Sequence, residues 1–156
     1  MDQDAALRKQ LVALLTSSEA HAEFEDAVRN FPAELRGRRP GGSPHSPWQL
    51  LSHMHLAQWD ILEFSRDPRH ESPEFPDGYW PSEPEPPDPE AWDRTVNAFL
   101  ADRRTLSDLI SHPSTDLFAP IPHGTGQTLL RQLLLTADHN AYHLGQLFLL
   151  RRALGA

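Results

Sequence analysis

"TADHNAYHLGQLFLLRR" (residues 136–152) is a largely apolar stretch with helical spacing that carries two histidines four positions apart. Because an α-helix completes a turn in about 3.6 residues, His139 and His143 lie on the same face of the predicted helix. On a helical wheel they share a polar stripe with Gln132, Thr136 and Gln146. Buried polar groups need partners, so this stripe predicts a cavity or a ligand site within an otherwise Leu-rich helix.

Two histidines at this spacing can bind one metal ion from a single helix. Another helix is predicted over 47–66, because Ser46 is a suitable N-cap residue and Pro47 is favoured at the first helical position. On that helix His53 lies at the edge of the apolar face, whereas His55 lies on the other side. We therefore expect His53 to be the third ligand, with His55 as the alternative.

A site of three imidazoles with open positions for water or substrate is typical of catalytic rather than structural metals. Zn and Ni are the first candidates for an all-nitrogen site, followed by Mn and Fe. No Glu-x-x-His sequence occurs, which argues against a carboxylate-bridged di-iron centre. Imidazole must be neutral to bind, so affinity is expected to weaken as the pH drops through about 6. The nearest candidate acceptors for the outer ring nitrogens are Gln49, Asp60, Gln132 and Gln146.

The rest of the chain predicts an all-α fold of one domain, 1–156. Apolar residues at helical spacing alternate with loops rich in Pro and Gly, and no stretch shows the alternation of a β-strand. The four predicted helices cover 3–29, 47–66, 89–111 and 127–153. His123, just before the last helix, is interpreted as a loop residue, with a position over the site as the alternative.

The segment 67–88 holds seven of the 15 prolines and is too long for a simple turn between helices. It predicts a four-helix bundle with a long Pro-rich crossover between the second and third helices, which would then run parallel. A solvated linker is the alternative interpretation. Tyr79 and Trp80 at its centre indicate that part of it packs on the bundle as a lid.

Composition excludes several classes of function. The net charge is −8 and the pI is near 5.5, which argues against binding to nucleic acid or to anionic membranes. No membrane-spanning run or signal peptide is present, so a cytoplasmic location is expected. There is no cysteine among the 156 residues, which excludes disulfides, thiolate metal ligands and a cysteine nucleophile.

Two stretches, "SPWQLLSHMHLAQWDIL" (46–62) and "GQTLLRQLLLTADHNAYHLGQLFLLRRALG" (126–155), resemble the DinB-like (YfiT/DinB) superfamily of metal-binding four-helix bundles. The most specific part is "DHNAYHLGQL". The resemblance implies the metal ligands His53, His139 and His143. It also implies a homodimer and an activity like that of relatives that are thiol-dependent transferases or isomerases.

The leading hypothesis is a divalent-metal-dependent S-transferase, in which a metal-bound low-molecular-weight thiol attacks a small electrophile. Metal-dependent hydrolysis is a second hypothesis, and Asp60 is its candidate general base. A third is a non-enzymatic metal-binding or stress-response bundle. The expected partners are a small-molecule substrate and a second copy of the chain, because the first and last helices carry more apolar surface than one core needs.

Overall fold

The computed structural model describes residues 2–17 and 20–156, and these residues form an all-helical chain. Within them lie five α-helices: α1 (Gln3–Thr16), α2 (Phe24–Val28), α3 (Pro47–Arg66), α4 (Ala91–Ser111) and α5 (Leu129–Leu154). Ala33–Leu35 and Asp77–Tyr79 are short 3-10 helices. The described residues contain no β-strand, which confirms the all-α prediction. None of these helices is long and apolar enough to cross a membrane.

The prediction of one helix over 3–29 is wrong, because the structure divides this region into α1 and α2. The backbone turns extended at Ser17, whose hydroxyl donates a 2.8 Å hydrogen bond to a carbonyl of the last turn. This bond does not itself end the helix, because Ser107 in α4 and Thr136 in α5 make the same bond to the carbonyl four residues earlier and those helices continue. Residues 18 and 19 of the predicted helix lie outside the described residues. As a separate helix, α2 stacks Phe24 on Phe99 of α4, with ring centroids 4.1 Å apart.

The other three predicted helices agree with the structure to within two residues at each end. At the start of α3, the Ser46 hydroxyl accepts from the Gln49 backbone N–H, and the Gln49 side chain accepts from the Ser46 N–H. This reciprocal pair satisfies two backbone donors that the helix leaves open. At the end of α5, Gly155 adopts a φ of 73°, a left-handed conformation that favours glycine.

The buried apolar side chains form two clusters on either side of the middle of α3. One cluster joins α2 to the starts of α3 and α4 and to the second half of α5, and includes Trp48, Met54, Trp92 and Leu147. The other joins α1 to the ends of α3 and α4 and to the start of α5, and includes Leu11, Leu62, Leu106 and Leu129. α3 therefore packs against both α4 and α5, and several of its polar side chains are buried there.

The Pro-rich segment between α3 and α4 lies against the first turn of α3. The Ser46 hydroxyl donates to the Pro84 carbonyl at 2.5 Å, and the Gln49 side chain donates to the Pro81 carbonyl at 2.9 Å. These bonds hold the middle of the segment, including the half-buried Trp80, close to the histidines of α3.

Candidate metal centre

The structure brings His53, His139 and His143 together between α3 and α5. The Nε2 atom of His53 lies 3.1 Å from Nε2 of His143 and 3.0 Å from Nε2 of His139. One ring nitrogen from each of the three histidines lies within 4.8 Å of those of the other two. His53 and His143 are buried and His139 is half-buried. These are the three side chains that the sequence selected.

The two alternative histidines face other parts of the molecule. His55, two residues after His53, points to α4, where its Nε2 lies 3.3 Å from a carboxylate oxygen of Asp102. His123 lies near the end of α3, with its Nε2 atom 2.6 Å from the Phe64 carbonyl oxygen. Of His53, His55 and His123, only His53 faces His139 and His143 on α5.

Hydrogen bonds fix which ring nitrogen of two of the histidines carries a proton. His53 Nδ1 lies 3.0 Å from the carbonyl oxygen of Tyr79, which can only accept, so Nδ1 is the donor. His143 Nδ1 donates in the same way to Oε1 of Gln146 at 2.7 Å. A neutral imidazole with its proton on Nδ1 presents a lone pair at Nε2. Both Nε2 lone pairs therefore point into the triad.

All three imidazoles are neutral at pH 7. Burial lowers the pKa of His53 to about 4. The hydrogen bond to Tyr79 opposes this shift by raising the pKa, and repulsion from the neighbouring imidazoles lowers it further. Burial lowers the pKa of His139 to about 4 as well, with a further contribution from His143. The pKa of His143 is also lowered, again mainly by burial. Neutral imidazole is the form that binds metal ions.

This donor set fits a shared cation. A proton on His139 Nε2 satisfies the contact with His53, but His53 and His143 still face each other as two acceptors 3.1 Å apart. Two buried lone pairs at that distance repel unless a positive charge lies between or beside them. A divalent ion supplies that charge, and imidazole nitrogens are among its preferred ligands.

Four side chains were predicted to accept a hydrogen bond from the outer ring nitrogen of a ligand histidine. Gln146 does so, by accepting from Nδ1 of His143. The prediction is wrong for Gln49, Gln132 and Asp60 as direct partners of a ligand ring. Gln49 bonds to Ser46, Arg39 and Pro81, and Gln132 accepts from Arg131. The carbonyl of Tyr79 takes the place expected for a side chain behind His53.

Asp60 supports the site one step further out. Its two carboxylate oxygens lie 2.7 Å from Nε2 of His70 and 2.7 Å from the hydroxyl of Tyr79. Burial and the adjacent carboxylate raise the pKa of Tyr79 to about 12, so its hydroxyl keeps the proton that it donates. Asp60 thereby ties the Pro-rich segment to α3 at the residue whose carbonyl holds His53.

Two aromatic residues that the sequence did not assign to the site stack beside it. The indole of Trp80 lies on the ring of His53, with centroids 3.7 Å apart and planes 7° from parallel. His45 stacks on the other face of Trp80 with centroids 3.8 Å apart. The resulting stack covers one face of His53 and excludes water from it. In the sequence, the only sign of this stack was the aromatic content of the Pro-rich segment.

Comparison with known protein families identifies a match over most of the chain. A family model described as the DinB superfamily matches residues 16–147, a range that contains all three histidines. No curated protein and no solved structure matches the chain.

Proposed function

This chain belongs to the DinB superfamily, and we propose that it is a divalent-metal-dependent enzyme of the thiol S-transferase type. One observation carries the metal-dependent part of the proposal: His53 and His143 direct buried, neutral Nε2 lone pairs at the same point, and His139 Nε2 lies 3.0 Å from the first of them. Such an arrangement is costly to maintain unless it binds a cation. Zn and Ni are its preferred occupants, ahead of Mn and Fe.

When bound, a divalent ion supplies positive charge that lowers the pKa of a thiol and favours its nucleophilic thiolate. The three histidines hold the ion, Gln146 and the Tyr79 carbonyl orient two of them, and Trp80 covers one side. Because the chain has no cysteine, the sulfur must come from a small thiol cosubstrate. In the transfer, a sulfur–carbon bond forms with the electrophile, its leaving group departs with the bonding electron pair, and the thiol proton passes to solvent.

Hydrolysis with Asp60 as general base has weaker support. Both Asp60 oxygens already accept hydrogen bonds, from His70 and from Tyr79. Each oxygen keeps a second lone pair, but Asp60 reaches His53 only through Tyr79, whereas a general base must lie within hydrogen-bond reach of the attacking water. The contacts of Asp60 instead suit a positioning role, which favours transfer to an external thiol over activation of water.

We also infer that α1, α3, α4 and α5 form a four-helix bundle, with the Pro-rich segment as the crossover between α3 and α4. Trp48 and Trp92, at the starts of α3 and α4, share one core cluster, and Leu62 and Leu106, in their later turns, share the other. Helices whose starts and later turns match in this way run in the same direction. A connection that returns along the bundle carries Tyr79 and Trp80 past the histidines.

The metal site is tested by the metal content of the purified protein and of three variants. His53→Ala and His139→Ala are expected to lose most of the bound metal, because each removes a ligand. His55→Ala is the matched control, since this ring faces Asp102 and should leave the metal content unchanged. Unchanged metal content in the first two variants contradicts the site.

Activity is tested separately, by conjugation of small thiols to model electrophiles with the metal-loaded protein and with chelator present. Chelator-sensitive conjugation that His139→Ala abolishes supports the S-transferase. Metal binding without conjugation for any thiol favours the non-enzymatic metal-binding protein, and chelator-sensitive ester or amide cleavage favours the hydrolase.

A further inference from the structure

A cavity of about 310 Å³ lies beside the triad, between the loop of residues 40–45 and the last turns of α5. Its volume is at the lower end of the range that binds small organic molecules. The side chains that matter here are Leu50, Leu149, Leu150 and Ala153 on the apolar walls, with His45 and Gln146 at the polar end.

The polar end of the cavity is connected to the histidine triad in two ways. Gln146 lines the cavity and accepts the Nδ1 proton of His143 at 2.7 Å. His45 lines it as well, and stacks through Trp80 onto His53. A molecule in the cavity is therefore separated from His143 by the side chain of Gln146, and from His53 by the side chains of His45 and Trp80.

The cavity wall has no counter-charge for an ionic ligand. Among the described residues that line it there is no Asp, Glu, Lys or Arg. Moving an ionised group from water to such a surface is unfavourable, whereas apolar groups gain about 25 cal/mol for each Å² that they bury. The wall thus selects for an uncharged, largely apolar ligand.

We propose that this cavity binds the uncharged, apolar body of the electrophilic substrate and presents its reacting end to the triad. The identification of the ligand as the electrophile rests on the S-transferase function proposed above. The chemistry of the ligand, neutral and apolar, rests on the cavity alone. Small aromatic or branched aliphatic electrophiles are the substrate class that follows.

Binding is tested on metal-free protein in the presence of chelator, so that the result does not depend on metal or on turnover. Benzyl alcohol and benzoate serve as a neutral and a charged probe of similar size, and shifts of backbone amide NMR signals report where each binds. We expect benzyl alcohol to shift the signals of residues 41–43, 45 and 146–153, and benzoate to bind at least about tenfold more weakly.

Leu149→Glu places a carboxylate on the cavity wall and is expected to weaken benzyl alcohol binding about tenfold or more. Leu14→Glu is its matched control, because this leucine is also exposed on a helix, α1, but does not line the cavity. Equal binding of the two probes, or equal effects of the two variants, overturns the proposal. If the probe binds as expected but no thiol conjugation is found, the cavity stands and the S-transferase function fails.

Discussion

His53 and His143 each donate a hydrogen bond through Nδ1 to a group outside the triad, and this leaves Nε2 free in both rings. The partners differ in kind. A backbone carbonyl holds His53, and a side-chain amide one turn further along α5 holds His143. Since a ring held at one nitrogen cannot rotate away, the two lone pairs stay directed at the same point without a metal. The site is therefore preorganised by groups that do not touch the ion.

The lowered pKa values predict that bound metal persists to lower pH than the sequence suggested. Protons displace a metal from histidine only when the pH nears the pKa of the metal-free ring, which is about 4 for His53 and His139. A lowered pKa keeps each ring neutral, and therefore able to bind metal, down to that pH. We expect metal content after dialysis to be nearly unchanged at about pH 5.5 and mostly lost at about pH 4. Half-release at pH 6 or above would contradict this expectation.

The helices and the Pro-rich segment meet through a few buried polar contacts. Gln58, in the middle of α3, is 1 % exposed and donates a 2.7 Å hydrogen bond to the Phe99 carbonyl of α4. Its carbonyl oxygen accepts from Asn140 of α5 at 3.0 Å. One side chain thereby connects three helices. Asp60, half a turn further along α3, makes the equivalent connection to the Pro-rich segment through Tyr79.

Gln58→Ala is expected to lower the free energy of unfolding by about 1–3 kcal/mol, because it leaves the buried Phe99 carbonyl without its donor and the half-buried Asn140 amide without its acceptor. Urea unfolding followed by circular dichroism gives the value. Gln10→Ala, on the exposed face of α1, is the control and should change stability by less than about 0.5 kcal/mol. A similar small change for both variants would show that Gln58 does not contribute to holding the helices together.

Tyr79→Phe is expected to weaken metal binding about tenfold while the fold is retained. The substitution keeps the ring but removes the hydroxyl that Asp60 binds, so the Tyr79 carbonyl is held less firmly against His53. Isothermal titration with Zn²⁺ measures the affinity. Tyr142→Phe is the matched control, since this mostly exposed tyrosine also lies near the triad, edge-on to His143. Equal affinity in the two variants would mean that the contact between Asp60 and Tyr79 does not support the site.

One exposed face of α5 is unusually apolar for a protein surface. Leu134 is 48 % exposed and Tyr142 64 %, and a side chain added at Gly145 would meet no atom within 4 Å. Asp138 and Arg152, also exposed, lie seven positions before and seven after Gly145. If two copies of α5 cross antiparallel at Gly145, Asp138 of each copy faces Arg152 of the other. We propose that a second copy of the chain covers this face.

The dimer is tested by exchanging charges. Asp138→Arg and Arg152→Asp are each expected to raise the dissociation constant of the dimer about tenfold or more, because each creates two like-charged pairs. Mixing the two variants, or combining both changes in one chain, restores opposite charges and should restore the dimer. Sedimentation velocity measures the association, and Lys9→Asp on α1 is the control. A wild-type monomer at micromolar concentration, or no recovery in the mixture, would contradict the interface.

Local patterns in the sequence were enough for most helix boundaries and for selecting the three histidines that the structure brings together. Ser46 and Gln49 set the start of α3 through hydrogen bonds within four residues, and Pro47 has the fixed φ that suits the first helical position. Helical periodicity places His139 and His143 on one face. Such features depend on neighbours along the chain, so they can be recognised in the order of residues alone. The break after α1 is the exception, because a core contact between Phe24 and Phe99 competes with the helical pattern.

The remainder of the site depends on contacts between residues that are distant in the chain. Helical phase in the sequence favoured His53 over His55, but only the placement of α4 and α5 shows which groups the two rings meet: Asp102 for His55 and the pair on α5 for His53. The acceptor behind His53 is a backbone carbonyl, a group that every residue carries and that no sequence pattern marks. Trp80 reaches His53 because the Pro-rich segment folds back on α3 through hydrogen bonds to Pro81 and Pro84. These contacts arise from packing in three dimensions, which local sequence patterns do not specify.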